Sequence, residues 1–518
     1  MTRQPLLLAI DAGTGSTRAV VFDTGGRQLA SAGREWTHRE TPGVPGSMEF
    51  DTGANWELIV TCVNEALSGF DSTDVVAISA TSMREGIVTF DESGKEIWGV
   101  ANVDSRSSDQ VVRLKSLGVE PFIYQRSGQT LALAAQPRLA WLQEHQPEQF
   151  ERVATVAMLS DWVLARLSGV IRSEPSNGST SGMMSLERRA WDPELARCCG
   201  LPGDITPPVA EPGTVIGTVL PEAAASMGLR PETLVVMGGG DAQIATVALG
   251  VVEPGAAAVI GGTFWQQEVN LSHAVVDPAM RIRVNCHAIP DTWQAEGIVF
   301  FPGLAVRWFR DAFYPDLVAQ AHDRGVDAYD LITAEAAEVP AGANGVLPIF
   351  SDEMHYERWE HAAPSFLDFG IDPETFSRAT FFRALMENAA VVTRANLQAI
   401  SAFSGSQPES VVFAGGAAKS PVWSQIVADV LGLPVRVPVV KEASALGGAL
   451  CAGVGAGIYP DLSSAAGELV RWESEYQPQA ANAAVYDALT ERWRVAYTSQ
   501  LELARAGVTT PMWRAPGI

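Results

Sequence analysis

Cysteine is scarce in this chain: five in 518 residues (Cys62, Cys198, Cys199, Cys286 and Cys451), none of them in a C-x2-C pair. That excludes a disulfide-stapled scaffold and a cysteine-built zinc cage, and it fits a reducing compartment. Positive charge is short as well. Lys and Arg number 36 against 60 Asp and Glu, a net charge of −24, so an anionic polymer or an anionic membrane surface is repelled by the molecule as a whole. Neither nucleic acid nor membrane is expected as a partner, and any phosphate site has to be built locally. No uninterrupted apolar run approaches the ~18 residues of a spanning helix. The N-terminus lacks the basic, apolar, small-residue order of a secretory signal. The expectation is a soluble, cytoplasmic protein.

The chain is long and apolar enough, at 47% hydrophobic content, to exceed the size at which one core keeps growing, so two domains with a cleft between them are expected. The most informative string is Asp11-Ala12-Gly13-Thr14-Gly15-Ser16-Thr17-Arg18. An apolar run precedes it at 6–10 and another strand-like segment follows at 19–23. No helix follows the glycines, which excludes both the P-loop and the dinucleotide fingerprint, each of which needs strand, loop, then helix. A strand-turn-strand phosphate site remains, with backbone N–H groups, the hydroxyls of Thr14, Ser16 and Thr17, and Arg18 as donors. Asp11 is then placed to hold a hydrated Mg²⁺. The plain alternative is an ordinary hairpin turn.

Further along, 55–67 reads as an amphipathic helix with Asp51 and Thr52 as cap candidates, and 75–80 as a buried strand. A Pro/Gly-rich passage at 202–217 precedes the apolar run at 234–237, which leads into Gly238-Gly239-Gly240-Asp241. Then the strand-glycine-threonine-strand pattern recurs: 256–263 ends in Gly261-Gly262-Thr263 and enters Trp265-Gln266-Gln267-Glu268. A repeat some 250 residues from its first copy is too long for a solenoid unit and points to two related domains facing each other, unless the two turns are unrelated. We place the boundary between 252 and 253, giving domains 1–252 and 253–518. A last strand-to-glycine turn, Phe413-Ala414-Gly415-Gly416-Ala417-Ala418-Lys419-Ser420, precedes a helix carrying Trp423, and 443–457 reads as a helix of small residues suited to tight packing.

Phosphoryl transfer to an alcohol needs charge stabilisation at the γ-phosphoryl and a carboxylate to take the hydroxyl proton. Asp241, after three glycines and at the start of a helical run, is the candidate base; its competing role is a helix N-cap. Arg84 and Glu85, where the 75–80 strand meets a loop, can donate to and accept from a polyol, or form a surface ion pair. Asp104 and Arg106 read as supporting residues.

The Asp11–Arg18 string, Gly240-Asp241-Ala242-Gln243 and the Gly415-Gly416 turn resemble the motifs of the FGGY carbohydrate kinases, a branch of the actin-like ATPase superfamily, and the resemblance covers nearly the whole chain. It implies an α/β fold of two ribonuclease-H-like domains with an interdomain cleft, ATP and Mg²⁺ as cofactors, and Asp241 as catalytic base. It assigns Thr14, Ser16, Arg18, Gly262, Thr263, Gly415, Gly416 and Lys419 to phosphate or ATP, Asp11 to the metal, and Arg84, Glu85, Asn102, Asp241 and Trp265 to the acceptor. In the family's glycerol-phosphorylating members the Arg-Glu pair contacts substrate hydroxyls. Here Asn102 and Leu133 replace two aromatics of that pocket and Trp265 a third, so the pocket is rebuilt; Gly262 replaces a threonine, whose hydroxyl Thr263 is placed to supply.

Further strings, among them Ser82-Met83-Arg84-Glu85-Gly86-Ile87-Val88, Gly261-Gly262-Thr263-Phe264-Trp265-Gln266-Gln267, Val439-Val440-Lys441-Glu442-Ala443 and Trp513-Arg514-Ala515-Pro516-Gly517, narrow the resemblance. They resemble members whose acceptor is the linear form of a quorum-sensing signal, 4,5-dihydroxypentane-2,3-dione. That resemblance also implies a monomer or homodimer and a phosphocarrier protein as regulator. A pentulose or sugar-acid kinase shares every catalytic part and is the near alternative. A nucleotide-dependent actin-like scaffold or sensor is the alternative of another class, against which Asp241 and the Arg84-Glu85 pair speak.

Overall fold

The apolar run at 6–10 becomes a fully buried central strand, as a strand covered on both faces must. The structure, a computed structural model, describes residues 5–440 and 442–513; Lys441 and the 514–517 part of the C-terminal string lie outside them. Three strands open the chain, β1 (Leu6–Ala12), β2 (Ser16–Asp23) and β3 (Gln28–Glu35), followed by helix α1 (Thr52–Leu67). The Asp51 carboxylate caps α1 by accepting from the Ala54 N–H at 2.9 Å, which satisfies one of the helix's unpaired donors. After β4 (Val75–Ser82) come β5 (Val215–Thr218), β6 (Leu234–Gly240) and α2 (Asp241–Ala248). The six strands form one sheet in the order β5-β6-β4-β1-β2-β3, with β1 antiparallel to β2 and parallel to β4.

The second half repeats this plan. Strands β7 (Ala257–Gly261) and β8 (Trp265–Leu271) form the second hairpin, and β9 (Arg283–Cys286), β10 (Trp293–Val299), helix α3 (Pro302–Phe313) and the long helix α4 (Arg378–Ser404) follow. Strand β11 (Val411–Gly415), helix α5 (Pro421–Leu431), β12 (Val435–Pro438), helix α6 (Ala443–Gly455) and β13 (Trp472–Tyr476) complete it. The sheet order is β9-β10-β8-β7-β11-β12-β13. Here β7 is antiparallel to β8 and parallel to β11, as β1 is to β2 and β4. The two glycine-threonine turns therefore occupy equivalent places, one at the head of each sheet. Among the described residues no helix is long and apolar enough to cross a membrane.

Helix α6 belongs by sequence to the second half but packs on the first sheet. Its Ala445, Leu446, Ala449 and Leu450 share a buried cluster with Leu7 and Ala9 of β1, Val236 of β6 and Ile244 of α2. Small residues allow this approach: a Cβ at Gly447 would lie 2.2 Å from the Ile244 carbonyl oxygen. Since α2 begins with Asp241, α6 fixes the height at which that carboxylate sits. Gly447→Ala must push the two helices apart, an overpacking cost of about 1 to 3 kcal/mol. Scanning calorimetry should show Tm falling by about 2 to 4 °C for each kcal/mol, and an unchanged Tm would show that α2 and α6 separate freely.

Candidate active site

The first turn spends its carbonyl groups on structure and brings one hydroxyl, that of Thr14, to a cavity, while Thr17 is fully buried. Trp36 donates its indole N–H to the Gly13 and Thr14 carbonyls at 3.1 and 3.2 Å, its backbone N–H reaches the Gly15 carbonyl at 3.2 Å, and a His38 ring nitrogen lies 2.7 Å from the Thr14 carbonyl. The Thr14 hydroxyl accepts from the Asn102 amide at 3.1 Å. Asp11 is register-paired with Arg18 across β1 and β2. Burial and the negative charge of Asp241 push the Asp11 carboxyl up to about 7, against the pull of Arg18. Arg18 turns its guanidinium to Glu442 at 2.6 Å, a part-exposed pair of the kind that contributes little and yields readily to a phosphate.

A cavity of about 430 Å³ opens beside this turn, lined by Thr14, Arg84, Glu85, Asn102, Asp241 and, from the second half, Phe264 and Gln266. Asp241 is the first residue of α2; Gly240 takes the cap position, so the aspartate is not the N-cap. Its carboxylate accepts from the Ala242 N–H at 2.8 Å, and a third of its side chain (34%) stays exposed. Burial pushes Asp241 up to about 6, although Arg84, with its Nε 3.7 Å away, works against this.

Arg84 is itself held from behind. Its guanidinium forms two bonds to Glu296 of β10, one of them at 3.2 Å. Burial alone would raise Glu296, but Arg84 and Arg283 bring it down to about 2. Arg283 of β9 also pairs with Glu85. Glu85 has φ +62°, a left-handed conformation unusual for a residue with a side chain, and such strain persists only where surroundings over-determine it. Here buried Arg138 does so, donating to the Glu85 carbonyl and, at 2.8 Å, to that of Asn102. Asp104 and Arg106 sit one layer further out: Asp104 accepts from the Met48 N–H, and Arg106 pairs with Asp104 and Glu49 while lying 4.8 Å over Trp141.

The second turn serves two cavities. Gly262 and Thr263 enter the wall of a larger one, about 540 Å³, together with Arg307, Arg310, Tyr329, Gly416, Lys419 and Trp423. Phe264 and Gln266, the next residues of the same hairpin, face the smaller cavity. Gly415 closes β11 opposite Gly261 at φ +88°, where a Cβ would lie 2.6 Å from the Gly261 carbonyl oxygen; no residue with a side chain fits there. Among the described residues no group of three or more His, Cys, Asp or Glu stands together as a metal site.

Of the residues named from sequence, Thr14, Arg84, Glu85, Asn102 and Asp241 meet at the smaller cavity, and Gly262, Thr263, Gly416 and Lys419 at the larger. Ser16 stands at the head of β2, opposite Glu35, and lines neither. Trp265 was expected at the acceptor and is instead fully buried behind it, its ring 4.9 Å from Trp423 and 5.1 Å from Phe413. Side chains alternate along β8, so its neighbours Phe264 and Gln266 reach the cavity and Trp265 points into the core. Leu133 likewise packs on the second-half core. Sequence reading missed Glu268, Arg283, Glu296 and Arg138. The first of these lies on the face shared by Gln266, Glu268 and Asn270, in a strand whose polar run Gln266-Gln267-Glu268 is the one local signal available.

A two-sheet α/β fold with a glycine-threonine turn at the head of each sheet, a half-buried carboxylate at an acceptor-sized cavity and a larger cavity across the second turn define an actin-like, ATP-dependent phosphotransferase acting on an alcohol group. The chain belongs to the FGGY family of carbohydrate kinases: residues 6–248 match the family's N-terminal domain and residues 266–456 its C-terminal domain. It is 53% identical over 517 residues, 99% of this chain and 98% of the relative, to a protein of Yersinia enterocolitica serotype O:8 / biotype 1B named autoinducer-2 kinase. Among solved structures it is similar to the xylulose kinase from Rhodospirillum rubrum, with TM-score 0.86, 26% identity, and coverage of 97% and 100% of the two chains. It also shares the fold of a gluconate kinase from Lactobacillus acidophilus, with TM-score 0.86, 19% identity, and coverage of 96% and 98%.

Proposed function

We propose that this protein transfers the γ-phosphoryl group of ATP to the primary hydroxyl of 4,5-dihydroxypentane-2,3-dione. The observation that carries phosphoryl transfer is that one hairpin turn, 261–264, stands in the wall of both cavities, so a group bound on one side can pass to the other. The choice of acceptor is supported by the full-length relatives bearing the name autoinducer-2 kinase. Residues 1–252 and 253–518 are the two lobes in this reading.

ATP lies in the larger cavity, its phosphates directed by Gly262 and Thr263 toward the first turn, where Thr14 and Arg18 receive them. The dione lies in the smaller cavity, with hydroxyl and carbonyl oxygens on Arg84, Glu85, Asn102 and Gln266. Asp241 takes the proton of the primary hydroxyl as that oxygen bonds to the γ-phosphorus and the bond to the β-phosphate oxygen breaks, releasing ADP. Asp11, a carboxylate raised by burial and by the neighbouring carboxylate of Asp241, fits Mg²⁺ bound through one or two carboxylates plus substrate phosphates. When bound, that ion offsets charge on the phosphates. The test is incubation with ATP and a panel of acceptors: ADP release with phosphate on the dione's terminal oxygen supports the reading, and failure of the dione to accept phosphate overturns it.

The pH dependence follows from Asp241. A base works only when ionised, so kcat/KM should rise with pH through about 6, the value to which burial lifts this carboxyl in the unliganded protein. A kcat/KM already at its plateau at pH 4.5 would remove Asp241 as the base.

A further inference from the structure

The second sheet presents an unusual face to the first half of the chain. Gln266, Glu268 and Asn270 of β8, Gln294 and Glu296 of β10, and Asn285 of β9 carry polar side chains, and all but Gln266 are fully buried. Within this face Glu268 and Glu296 are direct cross-strand partners. The charged groups that reach Glu268 are Glu296 of β10, Arg84 after β4, and Arg283 of β9. Both guanidinium groups are already committed, Arg84 to Glu296 and Arg283 to Glu85 and Glu296. No cation is left for a third carboxylate, and an uncompensated buried charge is strongly disfavoured. Among the described residues no group donates a hydrogen bond to either Glu268 oxygen. The neighbouring carboxyl of Glu296 offers only acceptors, so a proton held by one of the two is what can join them.

We propose that Glu268 is a positioning residue for the phosphoryl transfer proposed above: it shares a proton with Glu296, and the resulting carboxylic acid–carboxylate pair holds Glu296 in its two bonds to Arg84 and so keeps Arg84 beside Asp241. An ionised Glu268 would instead compete with Glu296 and Asp241 for the same guanidinium. A neutral Glu268 leaves Arg84 one firm anchor behind the cavity and one face toward the base. Glu268 touches neither substrate; it acts through Glu296 and Arg84.

The experiment compares the wild type with Glu268→Gln, which keeps the neutral hydrogen-bonding shape, and Glu268→Ala, which removes it. With Glu268→Ala, kcat should fall about 10- to 100-fold, the range found when an outer partner of a site group is lost, while ADP affinity stays unchanged. Glu268→Gln should restore kcat to within a few-fold and move the alkaline limb of the pH–kcat profile outward, because it has no proton to lose. Heat stability supplies a readout that needs no acceptor and stands even if the dione reading fails or the Ala variant does not fold. Burial and Glu296 raise the Glu268 carboxyl above its ordinary 4.5. The folded state then binds the extra proton, and stability is lost as pH rises above 4.5 toward the folded value. Wild-type Tm should therefore fall over that range more steeply than that of Glu268→Gln. Equal kcat losses for Gln and Ala, wild-type kcat in both, or identical Tm–pH slopes for wild type and Gln would each overturn the proposal.

Discussion

Asp241→Asn should lower kcat by roughly 10² to 10⁴-fold, the contribution of a well-placed general base, and leave nucleotide affinity as it is. The asparagine keeps the shape of the side chain and an oxygen for the Ala242 N–H bond, so what it removes is basicity. Arg84 keeps its anchor on Glu296, and the larger cavity, to which Asp241 contributes nothing, is untouched. Stability gives an internal control. The Asp241 carboxyl is raised from 3.8 to about 6 by burial, so its ionisation costs stability progressively as pH rises through that interval. At pH 7 the variant should be at least as heat-stable as the parent, which separates lost chemistry from lost fold. Stopped-time assays at saturating ATP and acceptor, with ADP affinity by calorimetry, decide the matter; turnover within a few-fold of the parent would reduce Asp241 to a helix-terminal residue.

The strands and turns of this fold are legible because their signals are local. The run at 6–10, the glycines at 13 and 15, and the second copy at 256–263 each announce an element within a few residues, and β1, β2, β7 and β8 form where these signals fall. Asp51 was readable as a cap for the same reason. The faces of strands are less legible. A one-residue difference in register exchanges cavity for core, and that is how Trp265 is lost to the interior while Phe264 and Gln266 gain the site. Least legible are the partners of Arg84. Glu296 lies 212 positions away, on a strand whose pairing to β8 is set by tertiary structure, and nothing near Arg84 announces a buried counter-ion. The same holds for Arg138, whose function is to hold the carbonyls of Glu85 and Asn102. Helix α6 shows the limit of dividing a chain by sequence alone, since its small residues predicted close packing but not that the partner would be the first sheet.

Acceptor selectivity should separate the dione from glycerol and xylulose by at least about 10²-fold in kcat/KM. The smaller cavity has two kinds of wall: Val103, Ile260, Phe264, Ala242 and Ala245 are apolar, while Arg84, Glu85, Asn102, Gln266 and Asp241 are polar. A five-carbon acceptor with a terminal methyl, adjacent carbonyls and two hydroxyls matches that division, the methyl on the apolar side and the oxygens on the donors and acceptors. Glycerol lacks the methyl and both carbonyls, and xylulose would place a hydroxyl against the apolar wall. Each buried polar group left without its partner costs about 1 to 3 kcal/mol, a tenfold to hundredfold preference, so one or two such groups suffice for the predicted ratio. Phe264→Ala should erode the ratio by weakening the dione more than glycerol, since it removes apolar surface that glycerol does not use. Initial rates across a panel of acceptors at fixed saturating ATP measure both effects. A pentulose as good as the dione would sink the assignment of the acceptor and leave phosphoryl transfer from ATP to an alcohol standing, because Asp241, Arg84 and the two glycine turns serve either substrate.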